Sequence, residues 1–174
     1  MGSKPQVRVS IVMGSASDLP SMMEAVKILR EFDVAHEVEI ASAHRTPERA
    51  AEIASGAAKR GVRVLIAGAG MANHLAGALA AHSTLPVIAV PLAASPLGGL
   101  DALLSSVQMP PGVPVATVAI GPAGARNAAY LALQILGVSD DAIQRKLQDH
   151  KKDMARKVER ANNDARKEIE KSGG

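Results

Sequence analysis

The 174-residue sequence contains no cysteine, no tryptophan, one phenylalanine (Phe32) and one tyrosine (Tyr130). Without thiols it has no thiolate nucleophile, no disulfide and no cysteine-ligated zinc, and a reducing compartment is expected. With almost no rings to expose, it has no platform for stacking the bases of single-stranded nucleic acid. No apolar run reaches the roughly 18 residues of a membrane-spanning helix. Met1 to Pro5 form no apolar leader core. The expected setting is cytoplasmic, with no membrane partner.

What is present is aliphatic. Hydrophobic residues make up 47% of the chain, enough for a core of Val, Ile, Leu, Met and Ala without staples. The net charge is +3 and the isoelectric point about 9.4. Much of the positive charge lies in residues 145–171, interleaved with Asp and Glu. That pattern describes a solvated helix face, and no nucleic-acid partner is expected.

Short apolar runs alternate with helical patterns. Strands are predicted over 7–13, 36–41, 62–68, 85–90 and 113–120, and helices over 19–32, 47–60, 72–82, 99–107 and 123–136. Strand–helix–strand repetition predicts right-handed crossovers, a parallel sheet and helices on both faces. Ligands then bind at the carboxyl ends of the strands. From Ser139, read as a helix cap, a long charged helix is expected. Its narrow apolar stripe runs through Ile143, Leu147, Met154, Val158, Ala161, Ala165 and Ile169. Such a stripe calls for cover by a neighbouring subunit. The expected organisation is a disordered or tag-derived start over 1–6, an α/β domain over 7–137 and a helical extension over 138–174.

The loops after the strands carry the chemistry. In "GSASDLP" (14–20), Gly14 allows a close turn. Ser17 or Asp18 can cap the next helix, or Ser15, Ser17 and Asp18 can meet a sugar phosphate. In "SAHRTP" (42–47), Thr46 is read as the cap and Pro47 as the first helical residue. His44 and Arg45 just before it offer a proton shuttle near neutrality and a forked phosphate anchor. In "AGAGMANHLAG" (67–77), Gly68 and Gly70 permit close approach of a ligand. Asn73 stands where a dinucleotide fingerprint needs its third glycine, so no nicotinamide cofactor is expected. His74 is placed in the first turn of the following helix.

These segments, together with "GLDALLSSVQMPPGVPVATVAIG" and "AGARNAAYLALQIL", resemble the class I N5-carboxyaminoimidazole ribonucleotide mutase family in order and spacing over residues 7–137. The resemblance implies a flavodoxin-like three-layer α/β/α fold and a homo-octamer whose C-terminal helix packs on a neighbouring subunit. It implies isomerisation of a ribonucleotide in purine biosynthesis without metal, organic cofactor or ATP. By the same resemblance His44 and His74 are the catalytic residues. His44 is the general acid–base, while His74 and the backbone of Gly70 and Met71 hold the migrating carboxyl group. Arg45, Ser17 and the backbone near Leu75 would bind the 5′-phosphate, Ser15 and Asp18 the ribose, and Ser42 would line the site.

The chain departs from the family pattern in one segment. Where the family reads "AGGAAHLPG", this chain reads "AGMANHLAG", with Met71 for glycine, Asn73 for alanine and Ala76 for proline. That segment is similar to class II relatives, which carboxylate aminoimidazole ribonucleotide directly with carbon dioxide. Those relatives carry lysine where this chain has Arg45. A non-catalytic nucleotide-binding protein is a further alternative, against which His44 and His74 both argue. A response-regulator-like switch would need acidic residues at the strand ends, where this chain has Gly14, Ser15, His44 and Arg45.

Overall fold

The computed structural model describes residues 6–172. Five parallel strands run in the order β2-β1-β3-β4-β5. They are β1 (Val9–Met13), β2 (His36–Ile40), β3 (Val64–Gly70), β4 (Val87–Leu92) and β5 (Ala116–Thr117). Helices α1 (Leu19–Glu31), α2 (Pro47–Ala57), α3 (Leu75–Ala81), α4 (Leu100–Val107), α5 (Gly121–Gly137) and α6 (Asp141–Ser172) follow the strands in turn. The fold is the α/β flavodoxin-like arrangement expected. The order reverses at β1, with β2 on one side and β3 on the other, which opens a crevice at their carboxyl ends.

Strand parity sorts the core. Val12, Leu65, Ala67, Val87 and Ala89 face the apolar sides of α2 and α3, where Ala50, Ile53, Ala54, Ala76 and Leu79 are buried. The alternate residues face the opposite layer. There Gly68 meets Met22 of α1, leaving no room for a Cβ. Helix α5 stands beside α1, with Phe32 and Tyr130 edge to face at 6.0 Å and Arg126 bonded to Glu24 at 3.0 Å. Small residues on α2 and α3 let these layers approach closely. A truncation such as Ile53→Ala leaves a hole that the rigid sheet cannot fill. On the exposed edge strand β2, Glu37 and Glu39 pair with Arg60 (2.9 Å) and Arg49 (3.1 Å). Charges of this kind discourage pairing with a further strand.

Several boundaries differ from the sequence reading. β3 runs two residues beyond its predicted end, because Gly68 and Gly70 remain in register with Met13 and Leu92. β5 pairs only Ala116 and Thr117 with β4, although Val118 N–H still donates to Ala89. Pro114, within the predicted range, lacks the amide donor a longer strand needs. α3 starts at Leu75, not 72, since Met71 is left-handed (φ +55°) and His74 N–H bonds back to Ala72 at 2.8 Å. α5 starts two residues early, at Gly121, with Pro122 tolerated in its first turn.

The chain divides into two compact units between Ile135 and Leu136. In the second unit α6 is capped by Asp140, not Ser139. The Asp140 carboxylate accepts from the N–H groups of Ala142 (3.1 Å) and Ile143 (3.2 Å). A carboxylate two and three residues back reaches those orphan donors directly. Ile143 and Leu147 are buried, whereas Met154, Val158 and Ile169 of the same stripe are exposed. The predicted start over 1–6 lies, except for Gln6, outside the described residues.

Candidate active site

A cavity of about 680 Å³ opens at the carboxyl ends of β1, β2 and β3. All ten residues singled out in the sequence line it: Ser15, Ser17, Asp18, Ser42, His44, Arg45, Gly70, Met71, His74 and Leu75. Ala43, Ala69, Ala72 and Ala94 complete much of the wall. Ala94 was missed, although it stands in the loop after β4, where the strand-end rule points. Its methyl group leaves Gly70 no space for a Cβ, so only glycine fits there.

The turn after β1 satisfies itself. Gly14 N–H bonds to Gly68 O at 3.0 Å. Ser15 caps a short 3-10 turn over Ala16–Asp18, its Oγ accepting from Ser17 N–H, while Asp18 accepts from Ser15 N–H at 2.9 Å. This is a reciprocal capping box, with Ser15 as the cap of the 3-10 turn. Asp18, one of the two residues expected to cap the next helix, occupies the cap position of α1 but makes no capping bond there. Ser17 Oγ donates to Ser15 Oγ at 3.0 Å. Asp18 is only 7% exposed. Burial pushes its carboxyl above the ordinary value, opposed by the Ser15 N–H and by the charge of Arg45.

The turn after β2 is held by Thr46 in an unexpected way. Thr46 occupies the cap position of α2, but its hydroxyl makes no capping bond. It accepts from Ser42 N–H (2.9 Å) and donates to Ser42 O (3.2 Å), closing the loop on itself. Ser42 Oγ in turn accepts from Arg45 N–H at 3.2 Å and from Nε at 3.5 Å. Arg45 Nη2 donates to Gly14 O at 3.3 Å. The guanidinium therefore bridges the β1 and β2 turns along one cavity wall.

The third wall comes from the β3–α3 turn. His74 sits at the cap position of α3, one residue before the helix rather than within its first turn. Its Nδ1 lies 2.7 Å from His44 Nε2, with the rings edge to face at 4.8 Å. In a hydrogen bond between them one nitrogen donates and the other accepts, so a single N–H lies in the gap between the two rings. Met71 keeps a backbone that glycine adopts readily, and its side chain is 61% exposed at the cavity mouth. The thioether thus adds bulk at the rim.

An α/β chain whose strand-order switch point bears a histidine pair and an arginine belongs to the class built to hold an anionic small molecule. The AIR carboxylase family model matches residues 8–157, and the chain belongs to that family. A Pyrococcus horikoshii protein named N5-carboxyaminoimidazole ribonucleotide mutase is 59% identical over 151 residues, covering 87% of this chain and 84% of that protein. A Bacillus subtilis protein of the same name is 51% identical over 153 residues, covering 88% of this chain and 94% of its own length. The crystal structure of Treponema denticola PurE superposes with a TM-score of 0.80 at 29% identity, over 89% of this chain and 96% of that one.

Proposed function

We propose that this enzyme isomerises N5-carboxyaminoimidazole ribonucleotide to 4-carboxy-5-aminoimidazole ribonucleotide. The shared name of its relatives supports the reaction. The observation that carries the mechanism is the single-proton contact between His44 and His74, in a cavity that also bears Arg45.

His44 protonates the exocyclic nitrogen as its bond to the carboxyl carbon breaks, giving carbon dioxide and aminoimidazole ribonucleotide. Carbon 4 attacks the trapped carbon dioxide, forming the new carbon–carbon bond. His44 then recovers the proton that carbon 4 releases. No net proton is consumed, so one acid–base suffices. His74 fixes the place of the shared proton and, with the backbone of Gly70 and Met71, holds the migrating carboxyl group. Arg45, Ser17 and the Leu75 backbone take the 5′-phosphate; Ser15, Asp18 and Ser42 take the ribose side. Walls of Ala43, Ala69, Ala72 and Ala94 suit a step in which the small apolar gas must stay beside its acceptor.

The enzyme works as a homo-oligomer of eight copies in the cytoplasm. Leu97, Leu100, Leu104 and Val107 are exposed on and just before α4 at helical spacing, and the outer stripe of α6 is exposed as well. Apolar faces of this size support burial against further copies, including α6 on a neighbour. No helix among the described residues is long and apolar enough to cross a membrane.

The second reading is direct carboxylation of aminoimidazole ribonucleotide, favoured by Met71 at the cavity's mouth and by Asn73 two residues on in the same turn. Two assays without ATP separate the readings. Turnover of N5-carboxyaminoimidazole ribonucleotide without bicarbonate is expected. Turnover only of aminoimidazole ribonucleotide with excess carbon dioxide would replace the mutase by the direct carboxylase.

A further inference from the structure

Asn73 is 1% exposed, yet neither its carboxamide oxygen nor its nitrogen has a protein partner among the described residues. The Oδ1 of Asp101, in the first turn of α4, is likewise buried and unpartnered. Buried amides and carboxylates with no partner are rare in folded proteins, and each calls for an explanation. Asn73 is absent from the cavity wall, although its neighbours Ala72 and His74 line it. Its backbone instead joins α4. Asn73 N–H donates to Ser105 Oγ at 2.9 Å, and Ser105 Oγ donates to Asp101 O at 2.8 Å. Asp101 and Ser105 are four residues apart and share a helix face. One hydroxyl therefore ties the two residues' backbones to a single seam.

We propose that Asn73 and Asp101 are positioning residues: they hold buried water between them, and that water fixes the β3–α3 turn on α4 so that His74 meets His44. Water needs two to four polar partners. Here it accepts from Asn73 Nδ2–H and donates to Asp101 Oδ1. The next residue in the chain is His74, which lacks a side-chain capping bond of its own. Its 2.7 Å contact with His44 weakens steeply with tenths of an ångström and with angle. The hold on α4 supplies that precision from outside the cavity.

The role in catalysis rests on the mutase reading, but the water and the histidine contact do not. The test uses the full chain, a crystal structure fine enough to show ordered water, and side-chain spectra of 15N-labelled histidine. Water bonded to both Asn73 Nδ2 and Asp101 Oδ1 is expected. Asn73→Ala and Asp101→Ala should each move the His74 Nδ1 resonance and lower kcat about tenfold, with KM within about twofold. Asp101→Asn keeps a carbonyl acceptor and should restore most of kcat. It also serves as the readable variant if an alanine variant fails to fold. A dry seam, water bonded to only one of the two side chains, or an unmoved His74 resonance would each overturn the proposal. Should the wild type turn over neither substrate, the function fails while the water and the resonance still decide this inference.

Discussion

The turns after β1 and β3 feed the same cavity and are built on opposite principles. In the first, Ser15 and Asp18 satisfy one another across three residues, and the turn is closed by its own side chains. In the second, Met71 is left-handed, His74 bonds back to Ala72, and Asn73 reaches another element for its partner. A locally satisfied turn holds a shape whatever surrounds it. A turn held from outside responds to its supports, and it is the one that carries the histidine contact.

That contrast orders the expected effects. The largest belongs to His44 of the β2 turn, which meets His74 of the β3 turn at 2.7 Å. His44→Asn should lower turnover by about a thousandfold, within the usual range for a lost acid–base. Nucleotide binding, followed by calorimetry, should be nearly unchanged. Arg45→Glu removes the bridge between the β1 and β2 turns and reverses its charge. KM for the phosphorylated substrate should rise on the order of a hundredfold, as for a lost hydrogen bond to a charged group. An unchanged KM would remove Arg45 from the anchoring role. Met71→Gly relieves a left-handed side-chain conformation in the externally held turn. It should raise stability in urea by about 1 kcal/mol. A loss of stability would mean that the Met71 side chain is held by contacts worth more than its strain.

The smallest effect tests the self-satisfied turn. Asp18 binds its proton more tightly in the folded chain than its ordinary value of 3.8, chiefly because it is buried. Its favourable contribution is therefore complete below that value and is lost as pH rises through the folded value. Asp18→Asn should flatten the stability–pH curve in that acid window and leave stability at neutral pH at least as high, while weakening ribose binding. A variant curve parallel to the wild type would show that the carboxyl is not destabilised by burial.

The two turns also differ in how far the sequence disclosed them. The parallel crossovers follow from alternating apolar runs, and the loops at strand ends point to the cavity. The strand order is a tertiary fact, and Met71 and Leu75 are named through the family resemblance. The local cap at Ser15 was within reach, since Ser15 and Asp18 have capping-box spacing, yet Ser17 competed for the position. Thr46 looked like a cap because the residue type and Pro47 fit, but Ser42 offered its hydroxyl better partners. Gly70 read as loop because its place in the sheet depends on Ala94, which is distant in sequence. Asn73 read as a failed fingerprint glycine and as a departure from the family's alanine, never as a buried residue. Its burial, and its link to Ser105 some 32 residues later, are tertiary facts with no periodic signal.

The central claim is that the carboxyl group never leaves the cavity. N5-carboxyaminoimidazole ribonucleotide labelled with carbon-13 in its carboxyl group, turned over in buffer saturated with unlabelled bicarbonate, tests it most directly. Retention of nearly all the label at carbon 4 is predicted. A product carrying the solvent's unlabelled carbon would contradict the account and show that carbon dioxide is taken from solution.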